Sequence, residues 1–535
     1  MGKDNAIWLV AKFALLCFFF FSFLYPMLGL GVRAAEGILL EEFVNSIFSN
    51  SNIIQNSFFQ ASISTLFSLL LGVPLAFILA RRDFPGKKVI RSLSLVPFVF
   101  PSILVVLSFV IVFGNNGVVN SFLQNIFHLD GPVQFLYGFF GIIIAHVFYN
   151  FPIVARLVCI QWENIDSATE QAAKTLGASR FSIFLNVTLP QLLPSIIASA
   201  SLVFIYCFMS FAIVLSLGGV GFSTLEVQIY YLISRALDIS SGASLALVQF
   251  VLLLPLAALY IFLSSKYSIA RERGQNIMKK ISLNSLQGIV EALFLLLVIC
   301  FIALPLVSII MFALLDPASG NLTLRHFEKI FSSSQSLVGT TALGAIFLSI
   351  LIGFFSSIAA TFFGLLASLR GSKIFGSGLI LGSSLAISSI TLGLGYFILY
   401  GSANLIFIIL GHAVISFPFA LRAIKNALGE ISKDNIDAAK TLSANEFEIL
   451  KYIQLPKIKG AIAASLAFAF AISLGELGFL LLLYDGVYAT IPVYIYRLIS
   501  TFDIFAATAM GVILMAIGFV CFYIIELFSS QRQVV

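Results

Sequence analysis

The side chains that carry enzyme chemistry are scarce and scattered in this sequence. Its five cysteines form no CxxC pair and lie in or beside apolar runs, which is typical of packing residues. No GxxxxGK[ST] phosphate loop is present, so the chain is not expected to hold ATP in that way. We therefore predict no catalytic residue, no metal site and no cofactor bound by this chain. The histidines, which do not cluster along the chain, are His128, His146, His326 and His412.

One acidic side chain, Glu476, falls deep inside an apolar run. A carboxylate within a membrane is costly and usually faces a cavity or a partner. We therefore predict that Glu476 lines a translocation pathway, where it would attract a cationic substrate. Ser210 occupies the corresponding position of the internal repeat described below and is the second candidate. A structural hydrogen bond between helices is the alternative reading of Glu476, and the sequence leaves it open.

Two polar loops repeat one pattern at the same spacing. In each, an Ala-Ala-Lys-Thr-Leu segment favours a helix, and a following Gly or Ser allows the helix to end. A Leu-Pro pair is then expected to stop the local structure before the next span. The small alanine pair leaves a helix face that can enter a groove of another protein, whereas the alternative is a hairpin packed on its own base. The candidate residues are Gln171, Ala172, Ala173, Gly177, Leu189 and Pro190 in the first loop, and Asp437, Ala438, Ala439, Ser443, Leu455 and Pro456 in the second.

The elements that must position these residues are membrane helices. Of the 535 residues, 60% are hydrophobic and 10% are charged, whereas a soluble domain carries roughly 25% charged residues. The apolar runs are long enough for helices that cross about 30 Å of hydrocarbon, and too long for the alternating strands of a barrel. We predict twelve spans, near residues 8–31, 57–80, 91–113, 136–158, 192–217, 242–265, 289–315, 339–368, 374–400, 403–424, 460–484 and 505–527.

The distribution of Lys and Arg predicts the orientation of these spans. With both termini in the cytoplasm, the two repeated loops are cytoplasmic as well. The net charge of +6 is then a signal of topology and implies no nucleic-acid partner. The basic residues left on the outer side are Arg33, Arg235, Arg325, Lys329 and Arg497.

An internal repeat relates the two halves of the chain. A shift of 266 residues aligns His146 with His412 and the first loop with the second, without gaps. Each half has six spans, so the repeat is parallel, and a substrate pathway is expected between the halves. The predicted organisation is a first span and periplasmic segment (1–52), transmembrane domain 1 (53–265), a cytoplasmic linker (266–288), a seventh span and periplasmic segment (289–336), transmembrane domain 2 (337–528) and a cytoplasmic tail (529–535).

The repeated loops resemble the EAA motif of the permease subunits of binding-protein-dependent ABC importers. That motif reads Glu-Ala-Ala, three residues, Gly, nine residues and Ile-x-Leu-Pro; here Gln171 and Asp437 replace the Glu, and Ser443 replaces the Gly. The resemblance implies an all-α polytopic protein of the bacterial inner membrane with the type I importer (MetI-like) fold. It also implies that both loops dock, through unequal contacts, on a cytoplasmic ABC ATPase dimer, which holds the ATP and Mg.

The same resemblance implies a periplasmic substrate-binding protein. Segments such as Leu225–Ile233 and Ile491–Leu498, which carry Tyr230, Tyr231, Tyr494 and Tyr496, would receive it. Tyrosines of this kind also suit helices at a membrane interface. Anchoring in the lipid bilayer alone is therefore the alternative role of these segments.

A narrower resemblance, to thiamine (thiamine pyrophosphate) transporter permeases, rests on three blocks of sequence. They are AHVFYNFPIVARL at 145–157, SFAIVLSLGG at 210–219 with TLEVQIYYLI at 224–233, and SLGELG at 473–478 with IPVYIYRLIS at 491–500. It implies thiamine or its pyrophosphate as the small-molecule substrate. Ferric iron is the alternative, because strings like SLGELG also occur in iron permeases. Outside this class, an ion-coupled secondary transporter would need several intramembrane acids, and a membrane-embedded enzyme would need clustered polar residues.

Overall fold

Helices make up nearly all of the regular structure of the chain. The computed structural model describes residues 2–36, 48–94, 96–219, 221–267, 278–316, 319–332, 340–369, 383–484 and 486–530. Two short parallel strands, β1 (Arg82–Asp83) and β2 (Lys279–Lys280), pair with each other. Ten helices are long and apolar enough to cross a membrane, counted over the described residues.

We number in order the helices of the first half whose bounds lie within the described residues. They are α1 (Gly2–Phe19), α2 (Tyr25–Glu36), α3 (Ser51–Arg81), α4 (Lys87–Leu93), α5 (Val96–Val99), α6 (Ser102–Phe113), α7 (Val118–Phe127), α8 (Phe139–Glu163), α9 (Ser167–Thr175), α10 (Arg180–Ile183), α11 (Leu189–Phe208), α12 (Ala212–Leu217), α13 (Leu225–Ser234) and α14 (Ile239–Tyr267).

The second half repeats much of this order. Its helices are α15 (Leu286–Leu314), α16 (Arg325–Ser332), α17 (Ala342–Ser368), α18 (Ser389–Tyr400), α19 (Leu405–Gly429), α20 (Lys433–Thr441), α21 (Glu446–Ile449), α22 (Leu455–Gly475), α23 (Gly478–Leu483), α24 (Ile491–Ser500) and α25 (Ile504–Ser530).

The helical spans confirm the predicted all-α membrane architecture. Ten of the twelve predicted spans overlap the ten long apolar helical segments, and the last overlaps α25. For the ninth predicted span, residues 374–382 lie outside the described residues, and its remainder contains α18.

Several predicted spans are broken rather than continuous, and the fifth and the eleventh break in the same way. The fifth ends as α11 at Phe208 and resumes as α12 at Ala212, and the eleventh ends as α22 at Gly475 and resumes as α23 at Gly478. The prediction of an unbroken helix was wrong at both places because the residues at the breaks lie in apolar runs, which hydropathy reads as one segment. Backbone groups freed within a membrane must find other partners.

The Leu-Pro pairs do not stop the local structure, which corrects the prediction made for them. The chain stays helical from Arg180 to Phe208, because one wider π-helical turn, Phe184–Thr188, precedes Leu189. The amide of Leu189 donates to the carbonyl of Phe184, five residues earlier. The next residue, Pro190, has no backbone N–H that would need a partner. The second loop uses the same π turn at Leu450–Gln454.

The chain forms two compact units that do not follow its sequence order. Unit 1 comprises Met1–Ser49, Gln228–Leu254 and Phe312–Val535, and unit 2 comprises Asn50–Val227 and Pro255–Met311. The N-terminal helices therefore belong with the second repeat, whereas most of α15 belongs with the first. The predicted domain boundaries, which follow chain order, differ from this division at both places.

Small residues allow close packing of the central helices in each unit. A Cβ on Gly72 of α3 would lie 2.6 Å from the Cβ of Val154 on α8, and one on Gly364 of α17 would lie 3.0 Å from the amide nitrogen of Leu421 on α19. Close backbone approach of this kind is how membrane helices gain packing energy. Gly72 and Gly364 are 292 residues apart, so α3 and α17 correspond at a different offset from the loops.

Replacing Gly72 with alanine is expected to destabilise unit 2. The added Cβ cannot be accommodated without moving α8, because it would also lie 2.9 Å from the carbonyl oxygen of Phe151. Overpacking of this kind costs about 1–3 kcal/mol, which thermal unfolding in detergent would measure. Gly31→Ala is the matched control, because its Cβ would meet nothing within 4 Å; equal unfolding of both variants would contradict the packing argument.

Candidate functional site

The first repeated loop is built around helix α9. Asp166 begins the helix by accepting a hydrogen bond from the amide of Ala168 at 2.9 Å. The helix ends with the amide of Ala178 bonded to the carbonyl of Ala173 at 3.1 Å. Gly177 takes the left-handed conformation between them, with φ of 83°. This is the Schellman ending, which favours glycine at that position.

The second loop, built around α20, has the same geometry with a different residue at its end. The amide of Ala444 bonds to the carbonyl of Ala439 at 3.0 Å, and Ser443 takes the left-handed conformation with φ of 62°. A residue with a side chain is roughly 1–2 kcal/mol less stable than glycine in the left-handed conformation. The departure from the motif at Ser443 therefore changes the stability of the helix ending and leaves its shape intact.

Exchanging the residues at these two positions is expected to shift loop stability in opposite directions. Ser443→Gly should stabilise the end of α20 by about 1 kcal/mol, and Gly177→Ala should destabilise the end of α9 by about as much. The destabilisation expected for Gly177→Ala comes from the backbone conformation and not from crowding, because a Cβ on Gly177 would meet nothing within 4 Å. Hydrogen exchange of the Ala178 and Ala444 amides would report both changes, and Gly429→Ala, also in open space, serves as the control.

The structure divides each alanine pair between two faces. Ala172 and Ala438 are exposed, whereas Ala173 and Ala439 are half-buried. Ala439 packs against an apolar cluster in its own unit that includes Ile424, Ile431 and Ile458. The second alanine of each pair therefore fits the loop to its own base, and the first alanine is the one available to a partner.

An exposed leucine follows each Ala-Ala-Lys-Thr segment, and the EAA pattern does not include it. Leu176 is 88% exposed and Leu442 is 83% exposed. Each lies immediately before the left-handed residue, where the helix has just ended. A large apolar side chain held this far from its own protein suits an interface. The signal in the sequence was an apolar residue next to the helix-ending glycine or serine.

The two loops are held to their units by different chemistry. Glu170 in the first loop accepts from Arg81 of α3 at 2.8 Å and from the Thr188 hydroxyl at 3.0 Å. The corresponding residue of the second loop, 266 positions later, is Ile436, which is buried in the apolar cluster. The predicted inequality of the two loops thus extends to their attachment.

Glu476 lies at the break between α22 and α23. Its Oε1 accepts from the amide of Phe479 at 3.0 Å, and the Ser389 hydroxyl and the amides of Leu477 and Gly478 also bond to the carboxylate. The carboxylate therefore satisfies amides that the break leaves free at the start of α23. This supports the structural alternative for Glu476 while placing it at an irregular point of the span.

Ser210 occupies the equivalent break in unit 2. Its amide donates to the carbonyl of Cys207 at 3.3 Å, as the amide of Glu476 does to the carbonyl of Ser473. The backbone at the two breaks is therefore alike, and the side chains differ in charge. Within the described part of the chain, no group of three His, Cys, Asp or Glu side chains is placed to hold a metal ion.

The helices α13 and α24 begin in the same way in the two units. The amide of Leu225 donates to the hydroxyl of Ser57 on α3 at 2.8 Å, and the amide of Ile491 donates to the hydroxyl of Ser349 on α17 at 2.8 Å. Tyr494, expected at the membrane interface, is buried with 1% exposure. Ser57 and Ser349 are 292 residues apart, whereas Leu225 and Ile491 are 266 apart. A single sequence offset therefore cannot align both partners, and the equivalence of the two contacts is seen only in the folded chain.

Comparisons with known proteins match both halves. The family described as "Binding-protein-dependent transport system inner membrane component" matches residues 72–269 and 356–534. The thiamine transport system permease protein ThiP of Escherichia coli is 28% identical over 491 residues, covering 89% of this chain and 88% of that protein. The ThiP protein of Brucella abortus is 28% identical over 493 residues, covering 89% of this chain and 87% of its own length.

A solved structure also resembles half of the chain. It is the bacterial alginate ABC transporter in complex with an alginate pentasaccharide-bound periplasmic protein. The TM-score is 0.44 at 20% identity, and the match covers 50% of this chain and 97% of the other.

Proposed function

The chain belongs to the family of binding-protein-dependent transport system inner membrane components, and we propose that it is the permease of an ATP-driven importer of thiamine or thiamine pyrophosphate. It is a multi-pass membrane protein and supplies both halves of the pathway in one chain. ATP binding and hydrolysis belong to a separate ATPase dimer. The observation that carries the proposal is the pair of matching loops, each ending in an exposed leucine.

The exposed face of each loop is the docking surface for the ATPase. It consists of Ala172 and Leu176 in the first loop and Ala438 and Leu442 in the second, with Gln171 and Asp437 exposed beside them. ATP-driven closure of the ATPase dimer moves the two loops and switches the pathway between its outward-open and inward-open states. Both loops and both chain termini are cytoplasmic in this arrangement, and α13 and α24 lie on the periplasmic side, where a substrate-binding protein delivers the substrate.

The substrate follows from the relatives that match nearly the whole chain. Both ThiP proteins named above are thiamine transport permeases, and each match covers 89% of this chain. Thiamine carries a positive charge, and we propose that the Glu476 carboxylate favours it at the broken helix in addition to capping α23. Ser210 offers a neutral hydroxyl at the matching place in the other half, so only one half of the pathway presents a charge at the break.

Reconstitution in liposomes tests this function directly. The chain, its partner ATPase and its binding protein are expected to accumulate labelled thiamine only when ATP is present on the ATPase side. Transport without the ATPase would indicate an ion-coupled transporter and would contradict the proposal. ATP-dependent transport of ferric iron without thiamine would contradict the substrate and leave the importer class intact.

A further inference from the structure

Each unit buries one histidine in the middle of a membrane helix. His146 of α8 is 1% exposed and His412 of α19 is 0% exposed, and the two are 266 residues apart. Nδ1 of His146 lies 3.0 Å from the Ser64 hydroxyl, and Nδ1 of His412 lies 2.7 Å from the Ser473 hydroxyl. Burying polar groups is costly unless they bond to each other, so a serine-bonded histidine at the same position of both units indicates a purpose beyond filling space, although the two serines lie on non-equivalent helices, α3 and α22.

In unit 1 the histidine contact joins three helices at one residue. The Ser473 hydroxyl of α22 accepts from the Ser356 hydroxyl of α17 at 3.0 Å. The hydrogen of Ser473 is then available to Nδ1 of His412 on α19. A chain of bonds thus runs from Ser356 through Ser473 to His412, with each serine supplying one hydrogen.

In unit 2 Cys207 stands at the position of Ser473. Its carbonyl accepts from the Gln60 side chain of α3 at 2.8 Å, and its Sγ lies 3.3 Å from Nδ2 of Asn150 on α8. The Cys207 thiol also bonds to the Ser64 hydroxyl, so the same three helices are joined, and the thiol takes the place that the second hydroxyl has in unit 1. We call the two sets the histidine clasps: Ser64, His146 and Cys207 in unit 2, and Ser356, His412 and Ser473 in unit 1.

Each clasp holds the last turn before a break. The carbonyls of Cys207 and Ser473 accept the amides of Ser210 and Glu476, which lie in the irregular backbone of the two breaks. In unit 1 the clasp also reaches past the break, because the His412 ring packs edge-on against Phe479 of α23 at 5.8 Å.

Gly411 makes room for this contact between the clasp and α23. A Cβ at Gly411 would lie 2.1 Å from the Phe479 ring. A glycine beside His412 therefore leaves the room that the Phe479 ring needs. The position of α23 thus depends on α19, the helix that carries His412.

The helices that meet in the clasp carry the docking loops at one end. In unit 2, α8 leads into α9 and α11 returns from it; in unit 1, α19 leads into α20 and α22 returns. Resting on the proposed function, we propose that His146 and His412 are positioning residues for transport. They fix the broken segments to the helices that receive the movement of the ATPase, so that loop movement reaches the pathway.

Two substitutions of His412 separate positioning from simple packing. Asparagine places its amide near Nδ1 and retains a bond to Ser473, whereas glutamine places its amide near Nε2. We expect His412→Gln and Ser473→Ala to lower ATP-driven uptake of labelled thiamine about tenfold, the loss of one buried hydrogen bond, while ATP hydrolysis by the assembled complex continues. His412→Asn should retain most of the uptake. Cys207→Ser, which gives unit 2 the hydroxyl of unit 1, should do the same.

Equal uptake by the asparagine and glutamine variants would overturn the proposal. So would a loss of uptake that only follows the amount of assembled complex. If the wild-type complex moves no thiamine, the substrate proposal fails, and the clasp is tested by labelling. Val487→Cys places a thiol where the side chain is 59% exposed after α23, and Cys300→Ala removes an exposed native thiol. Maleimide labelling at position 487 should change with ATP when His412 is intact and in His412→Asn, and not in His412→Gln. The same ATP response in both variants would refute the clasp.

Discussion

Replacing both Leu176 and Leu442 with aspartate is expected to separate the permease from the proposed partner ATPase. The two side chains are 88% and 83% exposed, so neither contributes much to the stability of its own loop. In a docked complex each leucine would be buried in the partner, and truncating such a residue costs about 2 kcal/mol or more, roughly 30-fold in affinity. Aspartate adds the cost of a buried charge. Co-purification of the ATPase from detergent-solubilised membranes measures the loss.

Leu237→Asp provides the matched control for this experiment. Leu237 is 79% exposed, lies between α13 and α14, and belongs to the side proposed to face the periplasm. This variant should retain the ATPase fully, because it adds a negative charge at a comparably exposed leucine away from the loops. Retention of the ATPase by the double aspartate variant would show that the loops do not form the docking surface.

The packing of the second alanine explains why the alanine pairs are weaker probes of docking than the leucines. A bulky charged residue at Ala439 would disturb the apolar cluster beneath α20, so loss of the ATPase could follow from a misplaced loop. Ala438→Arg changes the exposed face and avoids that ambiguity. The sequence indicates the alanine pair as a unit, but helical geometry places consecutive residues about 100° apart, so only one of them can face a partner.

The repeat, the membrane helices and the loop helices could be predicted from sequence because they depend on composition and local pattern. Long apolar runs indicate spans, and the Ala-Ala-Lys-Thr-Leu segments favour helix whatever surrounds them. The resemblance carried by the loops indicated the family in the same way, and the match to residues 72–269 and 356–534 confirms it.

Contacts between distant residues could not be predicted in this way. The broken spans are invisible to hydropathy because the residues at the breaks lie in apolar runs, and the tertiary contacts that accompany them, such as the bond from Ser389 to the Glu476 carboxylate, join residues far apart in sequence. Ser64 and Ser356 correspond at an offset of 292, whereas the histidines that they serve correspond at 266. A comparison without gaps therefore aligns the histidines and misses Ser64 and Ser356. The attachment of the first loop by Arg81 and Glu170 was missed for a similar reason, because Arg81 reads as a topology signal.

Reversing the charge of Glu170 is expected to uncouple the first loop while the ATPase stays bound. The side chains of Arg81 and Glu170 are 13% and 26% exposed. Breaking a fully buried pair costs about 3–5 kcal/mol, and this partial exposure reduces the cost to roughly 1–3 kcal/mol. The second loop, held by Ile436 in its apolar cluster, remains in place. Glu170→Arg should therefore lower thiamine uptake at least tenfold with the ATPase still co-purifying and hydrolysing ATP.

Adding Arg81→Glu to this variant should restore much of the uptake, because the pair then exists with its charges exchanged. Lys329→Glu is the control, since its partner Asp503 lies 2.5 Å away in a pair whose lysine is 61% exposed, and exposed pairs contribute little. If the exchanged pair fails to recover uptake while the loop remains ordered, Glu170 acts on the ATPase directly. Recovery would instead show that the loop transmits movement only when it is fastened to α3, which makes the attachment as much a part of coupling as the docking surface.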